Sequence, residues 1–221
     1  MFAFYYFMTI SWYGHSCFKI TNQGGRLTII TDPFDKSIGL NPPRGNADIV
    51  TISHDHYDHN NVQAISGHPF VVDGPGEYEI KEVKIIGCLS YHDKKQGQEK
   101  GLNTIYLMEV DKIRICHLGD LGQERLTEKQ LEAVGQVDIL IIPVGGAYTI
   151  GPAEAVKVVE QTEPHLIIPM HYKLPGLKIK LAGLADFLKE MGLDKKMAVD
   201  KLTLKKKDLI GKEMEVVVFK Y

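Results

Sequence analysis

Several protein classes are excluded by what this chain lacks. It has three cysteines in 221 residues, Cys17, Cys88 and Cys116, and no C-x-x-C pair. An odd, widely spaced set in apolar surroundings is neither a disulfide framework nor a zinc ribbon; it suits buried thiols in a reducing compartment. No apolar run reaches the roughly 18 residues that a transmembrane helix needs. The opening stretch MFAFYYFMTISWYG is apolar for about eight residues, but it has no basic leading segment and no A-x-A cleavage site, so no signal peptide is expected. Met8 directly precedes the strand-like TISWYG, and residues 1–7 read either as an extension ahead of Met8 or as part of a longer first strand. Charge of one sign is missing too. A formal net charge of -2 gives no global attraction to nucleic acid or to an anionic membrane, so any affinity for an anionic substrate must be local. The expectation is a cytoplasmic protein with a small-molecule substrate and no nucleic-acid or membrane partner; a homo-oligomer is left open.

The hydrophobic share of 44% is enough for a substantial core without covalent staples. Apolar, β-branched runs at 8–13, 17–20, 27–31 and 48–52 read as strands, separated by NQGG and GLNPPRGN. Shorter runs follow at 69–72, 78–86 and 104–110, and Asp111-Lys112 turns the last of these into IRICHLG as a hairpin. The second half alternates. Residues 127–134 have helical spacing with only a weak N-terminal cap. DILIIPV at 138–144 is the continuous apolar run of a strand covered on both faces. Gly151-Pro152 opens a helix, AEAVKVVEQT, and HLIIPM at 165–170 is another buried strand. Residues 178–191 read as helical, the Lys-rich stretch 195–207 as exposed surface, and MEVVVFKY as a closing strand. This order predicts an α/β sandwich with helices outside two sheets, in one domain over residues 1–221.

What is abundant is histidine, in one place. Residues 51–61 read TISHDHYDHNN, so three of the nine histidines and two aspartates fall within six positions. Packing has no use for such a density, and the ordinary alternative is an exposed polar turn. His54 and His56 are two apart at the end of an apolar strand, so in an extended backbone both point to one side and can converge on a cation. Asp58 and His59 are adjacent, diverge, and could serve a second ion. The pattern therefore divides into two incomplete sites and needs donors from elsewhere. SYHD (90–93) puts His92 in a loop. HLGD (117–120) puts Asp120 beyond the apolar IRIC, with Gly119 permitting a tight turn. PMHY (169–172) puts His171 at the end of a buried strand. Strand ends are where open α/β sheets place their sites.

These residues carry a resemblance. His54-x-His56-x-Asp58-His59 matches the H-x-H-x-D-H signature of the metallo-β-lactamase fold superfamily. The order SYHD, HLGD, PMHY, flanked by WYGHSCF (12–18), TDP (31–33) and GGAYTIGPAEA (145–155), resembles its small, insertion-free metal-dependent hydrolases, among them the ascorbate-phosphate lactonases. The resemblance runs from about residue 9 to 175. It implies a four-layer αββα sandwich. It also implies that His54, His56 and His92 bind one metal, that Asp58, His59 and His171 bind another, and that Asp120 bridges the two. The implied cofactors are two divalent ions, zinc first, with manganese or iron compatible with the same N/O donors. Two such ions about 3.5–4 Å apart can hold a hydroxide between them, because they lower the pKa of water toward neutral. That hydroxide attacks carbon or phosphorus while the second metal steadies the oxyanion, and Asp58 orients the nucleophile or passes its proton. The implied activity is hydrolysis of a small ester, lactone or phosphodiester.

Three other functions use the same fold. Diiron redox relatives usually carry glutamate at the position of His56 together with a flavin module. RNA-processing phosphodiesterases carry an inserted domain or an RNA-gripping arm, and neither is visible in the roughly fifty residues between Asp120 and His171. A non-catalytic metal-binding protein needs only one closed tetrahedral site. Around the ligand set, His15 and His117 each lie near a glycine and a strand end, so each could donate a supporting hydrogen bond, touch substrate, or simply fill the core. Asp32, after LTIIT, is expected to accept the other N–H of a ligating histidine. GGAYTIGP precedes a helix, so its N–H groups could receive an anion or merely form a turn; Tyr148 and Thr149 are the candidates for substrate contact. Lys94, Lys95 and Lys100 could attract phosphate or form a solvated loop. His68 and His165 read as structural, and Asp55 as pointing away.

Overall fold

Apolar and polar residues alternate in MTISWYG, and this stretch forms β1 (Met8–Gly14), which buries Met8, Ile10 and Trp12 on one face. The computed structural model describes residues 7–22 and 25–221; residues 1–6, most of the expected N-terminal extension, lie outside the described residues. After β1 come β2 (Cys17–Thr21), β3 (Thr28–Thr31), β4 (Gly45–Asn46), β5 (Ile49–Thr51), β6 (Ile65–Ser66) and β7 (Phe70–Val72). An antiparallel run follows: β8 (Gly76–Ile80), β9 (Val83–Tyr91), β10 (Leu102–Val110) and β11 (Ile113–His117). The rest alternates as α1 (Glu128–Val134), β12 (Ile139–Pro143), α2 (Pro152–Thr162), β13 (Leu166–Met170), α3 (Leu184–Glu190), β14 (Leu202–Leu204) and β15 (Glu215–Val216).

Two sheets face each other. One has the order β14-β1-β2-β3-β5-β7, the other β15-β13-β12-β11-β10-β9-β8, and β4 with β6 makes a small separate ribbon. α1 lies against β9, α2 against β12, and α3 packs on α2. The result is an α/β sandwich of two sheets with its α-helices packed on the second, of the metallo-β-lactamase type. ILIIP and LIIPM, the continuous apolar runs, are buried throughout as adjacent parallel strands. Ile10, Phe18 and Ile29 of one sheet join Ile85, Met108 and Ile141 of the other in one core cluster. Each such side chain contributes about 1.5–3 kcal/mol on leaving water. No described helix is long and apolar enough to cross a membrane.

Five sequence expectations change. The run 78–86 is two strands, because Lys81 at φ 56° breaks it into the β8–β9 hairpin. Only the second half of 178–191 is helical. The closing strand shrinks to Glu215–Val216, followed by a bridge between Val199 and Phe219. Within the Lys-rich stretch, Leu202–Leu204 pairs with Met8–Ile10 as an edge strand. The cap of α1 is not weak: Thr127 accepts from the Gln130 N–H and Gln130 accepts from the Thr127 N–H, a complete capping box.

β1, β3 and β5 run in one direction in the first sheet, and β9, β11 and β13 in one direction in the second. At their carboxyl ends the sheets are fastened together by polar contacts. The Tyr106 hydroxyl on β10 donates to the carbonyls of Ile52 (2.8 Å), just past β5, and Val72 (3.1 Å), the last residue of β7. The Thr104 N–H donates to the Ser53 carbonyl at 2.8 Å, and His117 Nε2 donates to the Ser16 carbonyl at 2.9 Å. These bonds satisfy backbone groups that leave the ladders deep in the protein.

Candidate metal centre

Each ligand-type residue of the sequence reading follows the carboxyl end of a strand. Asp32 follows β3, the His54–His59 segment follows β5, His92 follows β9, Asp120 lies beyond β11, and His171 follows β13. His15 comes just after β1, in the turn to β2. Three of these residues, His15, Asp32 and His171, have left-handed backbones with φ of 54°, 39° and 52°. Such positions cost a non-glycine residue about 1–3 kcal/mol and concentrate at functional sites.

The side chains converge in three overlapping groups, within each of which the candidate ligand atoms lie within 4.8 Å of one another: His54, His56 and His92; His15, Asp58, His59 and His171; and His54, His59 and Asp120. Asp120 sits between the first two. Its Oδ2 is 3.4 Å from His92 Nε2, 3.2 Å from His171 Nε2 and 4.0 Å from His54 Nε2, while its Oδ1 is 3.4 Å from His59 Nε2. All these residues are buried except His56, which marks the opening to solvent.

Asp32 organises one side of the cluster. Its Oδ1 accepts from the Ser53 N–H (2.8 Å), and its Oδ2 accepts from Ser53 Oγ (2.7 Å) and His59 Nδ1 (3.1 Å). With the Ser53 hydroxyl proton spent on Asp32, Ser53 Oγ accepts from His54 Nδ1 at 3.0 Å. Both histidines are thus fixed with Nδ1–H pointing outward, and their Nε2 atoms face the cluster. On the other side, Asn103 Oδ1 accepts from the Asp120 N–H (2.9 Å), while Asn103 Nδ2 donates to Ser90 Oγ and the Leu118 carbonyl. Gly119 makes this approach possible. It has φ 55°, and a Cβ there would stand 2.4 Å from both Asn103 Oδ1 and Ser53 Cβ. Gly122 serves the same end, since a Cβ would meet the His92 carbonyl carbon at 2.2 Å.

Charge explains what the cluster can hold. Burial alone would raise the Asp32, Asp58 and Asp120 carboxyls, yet the neighbouring histidines hold all three below their ordinary value, Asp58 through His15 and His59, and Asp120 through His171 and His59. Burial pushes the His15 imidazole down to about 4 and His54 to about 3, and it lowers His92, so these rings keep a lone pair. His59 goes the other way. Burial would lower it, but Asp120, Asp32 and Asp58 raise it well above its ordinary value. Positive charge is therefore favoured beside His59. His59 Nε2 and Asp120 Oδ1 are buried without a hydrogen-bond partner. Buried polar atoms are rarely left so. A nitrogen and a carboxylate oxygen facing each other, ringed by ionised carboxylates and neutral imidazoles, are the donors that divalent transition ions take. The residues fit such ions.

Other expectations land differently. His15 is fully buried, and its Nε2 lies 3.1 Å from Asp58 Oδ2 within one of the three groups. His117 is also fully buried but belongs to none of the groups; it accepts from the Gly119 N–H and ties β11 to Ser16. Tyr148 and Thr149 line a cleft with His92. The GGAYTIGP loop is less open to an anion than its sequence suggests. The N–H groups of Gly146, Tyr148, Thr149 and Ile150 are spent on carbonyls, and the Glu154 carboxylate sits against the start of α2. Asp55 is exposed and pairs with Asn60; His165 faces Asp138, and His68 lines a groove away from the cluster. Sequence reasoning missed Ser53, Asn103 and Asp93. The Asp93 carboxylate accepts from four backbone N–H groups, of Lys95, Gly97, Glu99 and Lys100, and this sets the loop after His92. Its place beside His92 was the one available signal.

Comparison with known proteins agrees with this geometry. Residues 9–171 match the family described as the beta-lactamase superfamily domain. The chain is 29% identical over 186 residues to a metal-dependent hydrolase of Thermococcus onnurineus, covering 72% of this chain and 82% of that one. It is 31% identical over 189 residues to a protein of Pyrococcus abyssi, covering 76% and 85%. Among solved structures, a candidate Zn-dependent hydrolase of the metallo-beta-lactamase superfamily from Thermotoga maritima is similar, with a TM-score of 0.77 and 40% identity over 96% of this chain and 98% of that one.

Proposed function

Since the chain belongs to the beta-lactamase superfamily, we propose that it is a metal-dependent hydrolase that holds two divalent cations and cleaves a small ester, lactone or phosphodiester. His54, His56 and His92 would hold one ion and Asp58, His59 and His171 the other, with Asp120 shared. Zinc suits the mixed imidazole and carboxylate donors, and manganese or iron is compatible with them. When bound, such a pair supplies an acidified water at neutral pH and a Lewis acid for the departing oxyanion.

The protein's own groups do the rest. Asp32 and Ser53 keep the His59 and His54 rings turned so that their Nε2 lone pairs face inward. Asp58 Oδ2, held by His15, would accept a hydrogen bond from the attacking water and orient it. Substrate enters past His56, the exposed member of the set.

One observation carries this reading: the group holding Asp120 shares His54 with one further ligand group and His59 with the other, each group draws on both sheets, and two of the inward atoms are buried without partners. Metal analysis of protein purified without chelator tests it. The expected result is close to two transition ions per chain, with esterase or phosphodiesterase turnover that is lost on chelation and restored by zinc or manganese. Fewer than one ion per chain, with no turnover restored, overturns it.

A further inference from the structure

Two clefts flank the metal centre and share one wall. The first, about 510 Å³, is lined by His92, Tyr148 and Thr149 among others; the second, about 470 Å³, by His54, His56, Leu89 and Leu102 among others; Lys100 lines both. The cations of these walls differ in how they are balanced. Lys94 pairs with Glu124 (2.7 Å) and Glu154 (3.2 Å), and Lys95 pairs with Glu99 (2.6 Å). Lys100 has no carboxylate partner among the described residues. Its Nζ reaches across to the opposite loop and donates to the carbonyls of Ala147 (3.1 Å) and Tyr148 (2.9 Å), 5.3 Å from the centroid of the Tyr148 ring. Carbonyl dipoles and a ring face hold an ammonium in place but leave its unit charge uncancelled.

The position of that charge is fixed from below. The Lys100 N–H donates to Asp93 Oδ2 at 2.8 Å, one of the four bonds that set the loop. Lys94 and Lys95 spend their charge on carboxylates, so the uncancelled ammonium an anionic group on a substrate meets in these clefts is that of Lys100. There it can exchange neutral acceptors for charge-assisted bonds, which are about twice as strong.

We propose that Lys100 is the specificity-determining residue of the site. It receives an anionic oxo group, carboxylate or phosphate, on the part of the substrate that projects away from the scissile bond into the cleft between the 92–101 and 145–151 loops. This rests on the hydrolase reading above.

The test compares acyl p-nitrophenyl esters of one chain length ending in methyl, carboxylate or phosphate, on the zinc-loaded wild type, K100M, K100R and K95M. The wild type should show a lower KM for an anionic ester than for the methyl one, and the terminus with the larger ratio identifies the anion. K100M should collapse that KM ratio by about 10-fold, the worth of one charge-assisted hydrogen bond. K100R should keep most of the ratio. K95M, which removes one positive charge from the same loop, should keep all of it. Equal ratios in K100M and wild type, or an equal collapse in K95M, overturn the proposal while leaving the hydrolase reading intact. If no ester is turned over, the ester branch of the hydrolase reading fails. Titration of inorganic phosphate and succinate into wild type and K100M, followed by NMR, then decides Lys100 on its own: weaker binding by K100M supports the site, and unchanged binding overturns it.

Discussion

Replacing Asp32 by asparagine should damage metal binding without touching a ligand. Asparagine is the right probe because position 32 has φ 39°, a left-handed backbone that asparagine tolerates better than most residues. The amide can keep the bond from the Ser53 N–H, but the atom that replaces Oδ2 becomes an NH2. It can no longer accept from Ser53 Oγ or from His59 Nδ1. His59 must then accept at Nδ1, which moves its proton to Nε2, the atom that faces Asp120 Oδ1 at 3.4 Å. Ser53 reverses as well and releases His54 Nδ1 from its fixed tautomer. Loss of such an outer partner typically lowers metal affinity about 10- to 100-fold, which is about 1.4–2.7 kcal/mol. Because two histidines are affected at once, the upper end is expected. Competition against a chromophoric chelator measures the affinity, and 15N shifts of the His59 ring report the tautomer. Affinity within threefold of wild type, with the His59 nitrogens unshifted, would refute the reasoning.

Two more predictions concern structure around the centre. Gly119→Ala places a methyl 2.4 Å from Asn103 Oδ1 and Ser53 Cβ on a left-handed backbone, so it should cost on the order of 1–3 kcal/mol in denaturant unfolding and displace Asp120; an unchanged midpoint would be the contrary result. Thiol labelling at pH 8 should modify the half-buried Cys88 alone in the native protein and all three cysteines in denaturant, because burial raises the fully buried Cys17 and Cys116 thiols far above their ordinary value. Labelling of Cys17 or Cys116 in the native state would show that the sheet interior opens.

The centre was legible because its chemistry demands particular residue types at high density. His54, His56, Asp58 and His59 have no packing purpose, and His92, Asp120 and His171 each follow an apolar strand that announces itself. Asp32 could be read for the same reason. His117 could not be told from His15, since both are strand-end histidines near a glycine; only the fold decides that one faces Asp58 and the other a backbone carbonyl. Asn103 and Ser53 act through hydrogen bonds whose partners, Asp120 and Ser90 for one and Asp32 for the other, the fold brings near, and a lone Asn or Ser carries no pattern. β14 was hidden because a three-residue edge strand set among lysines owes its conformation to its partner β1 rather than to its own residues. The expected helix over 178–191 was overextended because Lys-Ile-Lys-Leu fits helical spacing, while the observed chain there lies outside any helix until Leu184.

That each ligand group draws on both sheets has a bearing on how the protein is made. His54, His56, Asp58 and His59 belong to the half of the sandwich translated first, whereas His92, Asp120 and His171 arrive with the other half. A ribosome-bound chain that has extruded residue 59 can offer a cation only a partial set of donors. On the two-ion reading, capture of both would wait until residue 171 has emerged and β13 has docked, so loading of the centre would report that the two halves have joined.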